Sequence, residues 1–299
     1  MKKKFDETSL NVSIIQQSFS DDLADNRKRI DLAIEQAANQ GAQLILLSEL
    51  HNTPYFCQTE NVDNFDLAET IPGESTAHFS ALAKKHQAVI VTSIFEKRAA
   101  GLYHNTAVVI EADGSIAGSY RKMHIPDDPG FYEKFYFTPG DQGFMPISTS
   151  LGNLGILICW DQWFPEAARL MALAGADLLL YPTAIGWNPS DDGAEKTRQK
   201  DAWVTVQRGH AIANGLPVIV ANRHGHEQDP SLVTEGIDFW GNSFICGAQG
   251  EMLAQSQQSD SILTAKIDLS RTETTRRIWP FLRDRRTDAY YDIIRQYID

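Results

Sequence analysis

Cysteine is scarce in this chain, and its three copies, Cys57, Cys159 and Cys246, stand far apart. An odd, scattered set does not build the disulfide framework of a small secreted domain, and it lacks the paired spacing of a zinc site. No cluster of histidines and carboxylates suggests another metal. The sequence therefore predicts a protein of a reducing, cytoplasmic compartment without a structural metal.

Positive charge and long apolar runs are also in short supply. Lys and Arg number 27 against 39 Asp and Glu, a formal net charge of −12. This excess repels phosphate backbones and anionic lipids, so we expect neither nucleic acid nor membrane as a partner. No apolar run approaches the ~20 residues of a membrane-spanning helix. The basic start, residues 1–4, leads into FDET rather than an apolar stretch, so we expect no export signal.

Glycine-rich phosphate loops are missing as well, since neither GxGxxG nor GxxxxGK[ST] occurs. We therefore expect no nucleotide and no other cofactor. The composition is otherwise ordinary, with 42% hydrophobic and 22% charged residues in 299. That length and balance are typical of a folded protein with a sizeable core.

What the chain does contain is a near repeat of itself. Residues 41–49 (GAQLILLSE) have a counterpart in residues 175–183 (GADLLLYPT). Each reads as a buried strand entered through a glycine, and each follows a helical pattern. A second helical pattern, around 75–86 in one half and 198–213 in the other, leads to a further strand. Each half then ends in a hairpin that turns at Asp113-Gly114 or Gln249-Gly250.

The repeat predicts an α/β fold with two β-α-β-α-β-β halves. Two similar sheets, each covered by helices on one face, pack naturally as a four-layer α-β-β-α sandwich with an internal pseudo-two-fold axis. Two side-by-side α/β lobes fit the same pattern. No Gly/Ser/Pro-rich linker separates the halves, which favours a single domain over residues 1–299.

Three reactive side chains follow predicted strands, where α/β proteins collect their reacting groups. Glu49 ends LILLSE, Lys122 follows the first hairpin, and Cys159 ends GILIC, just before a helix that Pro165 opens. Singly, each has an ordinary explanation: a capping carboxylate, a solvated lysine and a small buried hydrophobe. Together their roles are complementary, and that favours chemistry.

A thiol is mostly protonated at neutral pH, so a nucleophilic Cys159 needs a base or a nearby cation. Glu49 suits the base, and Lys122 suits stabilisation of both a thiolate and an oxyanion. A tight turn at Cys159 presents the sulfur to a pocket and the N–H of Trp160 to the developing charge. With a cation close by, we expect alkylation of Cys159 at a pH below that of a free thiol.

Glu49, Lys122 and Cys159, in that order, resemble the Glu-Lys-Cys triad of the nitrilase superfamily of carbon–nitrogen hydrolases. Four longer blocks resemble the members that act on N-carbamoylputrescine: KMHIPDDPGFYEKFYFTPGD, ICWDQWFPEAARLMALAGAD, YPTAIGWNP and RDRRTDAYY. The resemblance spans nearly the whole chain. It implies the four-layer sandwich and cofactor-free hydrolysis of the ureido C–N bond of a small cationic carbamoyl compound. It also implies a homo-oligomer, at least a dimer, with a tail from about 270 to 299 packed on a neighbouring subunit.

The resemblance adds residues to the site. Glu133 matches a second glutamate of the superfamily, with a surface ion pair to Lys134 as the alternative. His124 matches a histidine that lies beside the substrate in related carbamoylases, and a core or capping histidine is the alternative. Tyr132 belongs to the same aromatic block, and we expect it to contact substrate. Trp160, next to the nucleophile, is expected on the pocket wall.

Burial of the cationic end of such a substrate needs a carboxylate or several acceptors. Asp191 and Asp192, in IGWNPSDDG, are the candidates, although both also suit a solvated turn or the start of a helix. One rival function keeps the chemistry on another N-carbamoyl compound or an ω-amide, and an anionic substrate of that kind needs an Arg or Lys clamp. The rival outside enzymes is a non-catalytic binding subunit, against which the intact triad counts.

Overall fold

The computed structural model describes residues 9–298, so the basic start on which the expectation of no export signal rests lies outside it. The helices are α1 (Leu23–Asn39), α2 (Glu74–His86), α3 (Glu133–Tyr136), α4 (Pro165–Leu173), α5 (Gly193–Asn214) and α6 (Ser270–Ile278). The strands are β1 (Ser9–Gln16), β2 (Leu44–Leu47), β3 (Val89–Ala99), β4 (Leu102–Ile110), β5 (Ile116–Arg121), β6 (Ile147–Thr149), β7 (Gly152–Ile156), β8 (Leu178–Pro182), β9 (Gly186–Trp187), β10 (Val218–Ala221), β11 (His224–Glu227), β12 (Ile237–Trp240), β13 (Phe244–Cys246), β14 (Met252–Gln255) and β15 (Ser261–Asp268). Within residues 9–298, no helix has the length and apolar character to cross a membrane.

Two six-stranded sheets have the same strand order, which confirms the predicted repeat. One runs β15-β1-β2-β3-β4-β5 and the other β6-β7-β8-β10-β13-β14. In each half the first three strands are parallel, and the next two add as antiparallel neighbours. The counterparts Glu49 and Thr183 touch, since the N–H of Glu49 donates to the carbonyl of Thr183 at 3.3 Å.

The two sheets pack face to face, and helices cover their outer faces. Alternate residues of β2 point to different layers. Leu46 lies in a core shared with Leu180 of the other sheet, whereas Ile45 packs with Ile34 of α1 and Phe79 of α2. Helices α4 and α5 cover the second sheet in the same way. The four-layer sandwich is therefore confirmed, and the shared core excludes two side-by-side lobes.

Single residues in the sequence mark the ends of several helices, as predicted. Gly41 (φ 86°) and Gly175 (φ 95°) follow α1 and α4 in the left-handed conformation that glycine adopts without strain. Pro165 occupies the first turn of α4, as predicted. The strands leading to Glu49 and Cys159 are shorter than predicted, ending at Leu47 and Ile156. Backbone angles with positive φ at Leu50 and Cys159 are incompatible with an extended strand.

A small third sheet, β11-β12-β9, was not predicted. Two of its strands lie between β10 and β13, where the second half is longer than the first. Its packing brings the rings of Trp187 and Trp240 to 5.3 Å between centroids.

The chain then closes with β15, α6 and an irregular tail. Large apolar side chains of this tail face outward, among them Ile293, Ile294 and Tyr297, which are 64%, 90% and 81% exposed.

Candidate active site

Three charged side chains meet in the interior, beyond the ends of β2 and β5. Lys122 directly follows β5, Glu49 follows β2, and Glu133 begins α3. The Nζ of Lys122 donates to Glu49 Oε1 at 2.8 Å and to Glu133 Oε2 at 2.6 Å, and all three side chains are fully buried. An ammonium group has three N–H donors. One donor of Lys122 is therefore left for a ligand.

Neutral side chains fix the two carboxylates. Asn105 Nδ2 donates to Glu49 Oε1 at 2.7 Å, and the hydroxyl of Tyr55 donates to Glu133 Oε1 at 2.7 Å. The other oxygen of Glu49, Oε2, is buried without a hydrogen-bond partner in the described chain. A buried acceptor left unpaired is costly, and this oxygen is free to accept a proton or a donor group of a ligand.

Cys159 lies on the turn that joins β7 to α4. Its φ of 44° falls in the left-handed region that residues other than glycine rarely occupy. The carboxylate of Asp161 holds this turn, since its Oδ2 accepts the N–H of Ile158 at 2.9 Å. The thiol donates to the carbonyl of Ala184 at 3.6 Å. Strained backbone that its surroundings hold in place is characteristic of functional sites.

The charges around the thiol correct one expectation. Burial and the carboxylate of Glu49 raise the pKa of Cys159 well above its usual value, and Lys122 opposes them only in part. Burial lowers the pKa of Lys122, but Glu133 and Glu49 outweigh this effect and raise that pKa well above its usual value. The expectation that Cys159 is alkylated at a pH below that of a free thiol is therefore wrong, because the cation is already paired with two carboxylates. The thiol rests neutral until a base takes its proton.

Glu133 is also perturbed. Burial raises the pKa of Glu133 from its ordinary 4.5 to about 7; the Lys122 ammonium opposes this rise and the Glu49 carboxylate adds to it. Because Glu133 is fully buried and bonded to Lys122, the surface ion pair with Lys134 does not describe it. A strongly raised carboxyl pKa within a cluster of buried charged groups is typical of a functional site.

A cavity of about 640 Å³ opens beside Cys159. Two of the predicted substrate-binding residues, Trp160 and Asp191, lie on its wall. Other charged side chains on the wall are Asp128, Glu195 and Arg198. The nucleophile candidate therefore shares one cavity with the carboxylate that was expected to meet an amine.

The other three predicted substrate-binding residues do not line this cavity. His124 stacks on Phe164 with ring centroids 3.7 Å apart, and its Nδ1 lies 2.7 Å from Asp161 Oδ1. Tyr132 is the residue before α3. Asp192 caps the start of α5, the alternative that the sequence had left open for it. For these three residues, contact with the substrate stays a prediction.

Comparison with known proteins assigns the chain to a family. The sequence pattern of the carbon-nitrogen hydrolase family matches residues 11–277. The chain belongs to the carbon–nitrogen hydrolase family. This confirms the predicted nitrilase-superfamily membership and the hydrolase class.

Relatives of this carbon–nitrogen hydrolase align with nearly its whole length. It is 43% identical to a citrullinase of Francisella tularensis subsp. tularensis, over 97% of this chain and 99% of the relative. It is also 43% identical to an N-carbamoylputrescine amidase of Arabidopsis thaliana, over 93% of each chain. A solved carbon–nitrogen hydrolase from Helicobacter pylori G27 superposes with a TM-score of 0.95 at 56% identity, covering 97% of this chain and 100% of that one.

The carbon–nitrogen hydrolase site holds residues that sequence reasoning missed. Asn105 had a usable signal, because the predicted first hairpin begins at Asn105 as the second begins at Asn242, although the structure places Asn105 inside β4. Tyr55, which bonds Glu133, and Arg223, which reaches the loop of Glu49, had no such signal.

Proposed function

We propose that this carbon–nitrogen hydrolase cleaves N-carbamoylputrescine to putrescine, carbon dioxide and ammonia, with Cys159 as nucleophile. The observation that carries the proposal is the buried Glu49–Lys122–Glu133 cluster, whose charges act on a cysteine that opens onto an acidic cavity. The N-carbamoylputrescine amidases among the relatives, at 41–43% identity, support the choice of substrate.

In the first half-reaction, Oε2 of Glu49 takes the thiol proton as Sγ of Cys159 attacks the ureido carbon. The ureido oxygen becomes an oxyanion, and the free N–H of Lys122 and the backbone N–H of Trp160 stabilise it. Glu49 then gives its proton to the departing NH₂ group, which leaves as ammonia. The product is a carbamoyl thioester on Cys159.

In the second half-reaction, Glu49 takes a proton from water, whose oxygen attacks the thioester carbon. The C–S bond breaks, and the proton on Glu49 returns to the sulfur of Cys159. The carbamic acid of putrescine leaves and loses carbon dioxide. Glu133 holds Lys122 throughout, so that its third donor keeps pointing at the oxyanion.

Asp191 is the residue we assign to the substrate's ammonium group. It lies on the cavity wall, and within residues 9–298 its carboxylate accepts one side-chain hydrogen bond, at Oδ2 from Gln199 Nε2 at 3.1 Å. A protonated amine enters such a cavity readily when a carboxylate meets it. The opposing charge also selects against neutral tails.

We expect Asp191→Asn to lower kcat/KM for N-carbamoylputrescine by roughly 10²-fold, because an ammonium then loses its counter-charge. The neutral analogue N-butylurea should be hydrolysed equally by variant and wild type. The matched control is Asp192→Asn, since asparagine caps a helix as well as aspartate. The measurement is ammonia release from both substrates. Equal turnover of N-carbamoylputrescine, N-butylurea and N-carbamoyl-β-alanine by the wild type would sink the polyamine assignment and leave the hydrolase chemistry intact.

Arg198 favours a second candidate substrate, citrulline. Its guanidinium lies on the same cavity wall, paired with Glu195 at 2.5 Å. Citrulline carries a ureido group at one end and an α-amino acid at the other, so it needs a cation as well as a carboxylate. The citrullinase among the relatives supports this alternative. Faster hydrolysis of citrulline than of N-carbamoylputrescine, lost in Arg198→Gln, would establish it.

We also propose that the tail packs on a second copy of the chain. Its outward apolar side chains include Ile294 and Tyr297. Between the tail, α4 and α5 lies a second cavity of about 720 Å³, lined by Leu170, Leu173 and Phe281 among others. A contiguous exposed apolar surface of this kind is typical of an interface. A two-fold pair of copies covers both tails at once.

Removal of residues 279–299 should therefore lower the oligomeric state, measured by light scattering during size-exclusion chromatography. The reason is that the covered apolar area supplies the association energy. The control is Ile116→Ser. Ile116 is exposed on β5 at the edge of its sheet, and we expect this variant to keep the oligomer mass of the wild type. An unchanged mass of the truncated protein would contradict the proposal.

A further inference from the structure

Arg223 is a fully buried residue just beyond β10, and its guanidinium ends on the loop that carries Glu49. Nη2 donates to the carbonyl of Glu49 at 2.8 Å and to that of Leu50 at 2.9 Å. Nη1 donates to the carbonyl of Thr53 at 3.3 Å. Leu50 has a φ of 47°, which is unfavourable for a leucine. Besides the N–H of Thr53, which reaches the carbonyl of Leu50 at 3.5 Å, the guanidinium is thus an outside group that holds the carbonyls of this turn.

Glu227, at the end of β11, extends this support. Its Oε1 accepts from Arg223 Nη1 at 2.8 Å, and its Oε2 accepts the N–H of Tyr55 at 2.5 Å. The hydroxyl of Tyr55 in turn donates to Glu133. One buried ion pair thus reaches the main chain of Glu49 and, through Tyr55, the side chain of Glu133.

Aromatic rings close the pair off from water. The Cζ of Arg223 lies 4.7 Å from the ring centre of Phe19, 5.3 Å from that of Phe239 and 5.8 Å from that of Tyr55. Rings at such distances attract a cation. A buried ion pair is nevertheless often no more stable than apolar residues of the same size. Stability alone is therefore a weak reason for a charge at this place.

We infer that Arg223 is a positioning residue: it fixes the backbone of Glu49 so that the free Oε2 of that carboxylate meets the thiol of Cys159. Glu227 holds the guanidinium in place. Arg223 itself is not part of the cavity wall and touches no reacting atom. The inference rests on the role proposed above for Glu49 as the base.

Two variants test it. Arg223→Lys keeps the charge but lacks the fork that bonds both carbonyls. The double variant Arg223→Met/Glu227→Gln removes both charges, and glutamine still accepts the N–H of Tyr55. We expect kcat to fall about 10-fold or more in the first and roughly 10²-fold in the second, because small displacements of a base cost that much. KM for N-carbamoylputrescine should stay within about twofold, since the cavity is intact.

Arg208→Lys is the matched control. Its guanidinium also donates to a backbone carbonyl, that of Gly250 at 2.7 Å, but in the hairpin between β13 and β14. Its kcat should equal that of the wild type. Circular dichroism and the unfolding temperature establish that each variant is folded, and Arg223→Lys decides the matter where the double variant is unfolded.

A readout specific to positioning is rescue. Guanidinium ion should restore part of the kcat of folded Arg223→Ala, whereas sodium chloride at equal ionic strength should not. Wild-type kcat in folded Arg223→Lys, or a rise in KM alone, overturns the inference. Wild-type kcat in Glu49→Gln instead overturns the proposed role of Glu49, so the two failures are distinguishable.

Discussion

Cys159→Ala should release ammonia from N-carbamoylputrescine at no more than about 10⁻⁴ of the wild-type rate, the scale of a lost nucleophile. No other thiol lies on a strained turn between the Glu49–Lys122 pair and a cavity in the described chain. Without the sulfur no carbamoyl thioester forms, and the remaining groups only bind substrate. The measurement is ammonia release, with intact-protein mass spectrometry to detect the thioester in the wild type.

Cys246→Ala is the control for this change. Cys246 is also buried, but it lies in β13, outside the wall of the cavity beside Cys159, and burial raises the pKa of its thiol to about 12. We expect this variant to keep its activity and the mass increase of the intermediate. Substantial turnover by Cys159→Ser or Cys159→Ala would show that the nucleophile is misassigned.

Glu133→Gln should fold normally and lose on the order of 10²-fold or more in kcat. Glutamine keeps one of the two acceptor oxygens that Lys122 and Tyr55 use, replaces the other by an NH₂ donor, and brings no negative charge to hold the ammonium. Steady-state ammonia release measures the loss. A near wild-type kcat would return Glu133 to a purely structural role.

The same variant should change how stability depends on pH. The pKa of Glu133 is about 7 in the folded protein, above its ordinary 4.5. Between these values the folded state binds more protons than the unfolded state, so this group's contribution to stability is lost as pH rises through the window. Glutamine does not titrate. The unfolding temperature of Glu133→Gln minus that of the wild type should therefore increase from pH 4.5 to 7 and then level off.

For Glu96→Gln we expect the opposite dependence of stability on pH. Burial acts to raise the pKa of Glu96, but hydrogen bonds from Arg121 and Thr106 outweigh it and lower that pKa. The contribution of Glu96 is thus present above its ordinary pKa and lost as pH falls. Glu96→Gln should be less stable than the wild type at neutral pH, with the difference shrinking in acid. Parallel pH trends for the two variants would contradict the buried, raised pKa of Glu133.

The sequence carried most of the fold because its signals were local. Gly41, Gly175 and Pro165 each mark a helix end by a backbone preference that one residue suffices to express. Strands of four or more apolar residues showed the repeat. The third sheet escaped because β9, Gly186–Trp187, has only two residues and no period to detect.

The site was predictable to the extent that chemistry is carried by residue type. A thiol, a base and a cation at predicted strand ends have complementary chemical roles, and this made Cys159, Glu49 and Lys122 candidates. Glu133 became a candidate only through the family resemblance. Arg223 meets Glu49 from 174 positions away. Nothing in a single sequence marks such a pair. Asp191 and Asp192 show the converse limit, since adjacent carboxylates in one loop took different places, one on a cavity wall and one at a helix start.

The internal repeat determines how much of the chain is needed to form the candidate active site. The two halves have the same topology, yet Glu49 and Lys122, the proposed base and cation, come from the first, and the sulfur of Cys159 comes from the second. The counterparts Glu49 and Thr183 are bonded to each other through their backbones, and only the side chain of Glu49 is ionisable. The two halves have therefore kept the same strand order, although they contribute different side chains to the site. Neither half alone holds Glu49, Lys122 and Cys159 together, so both halves are needed to form the site.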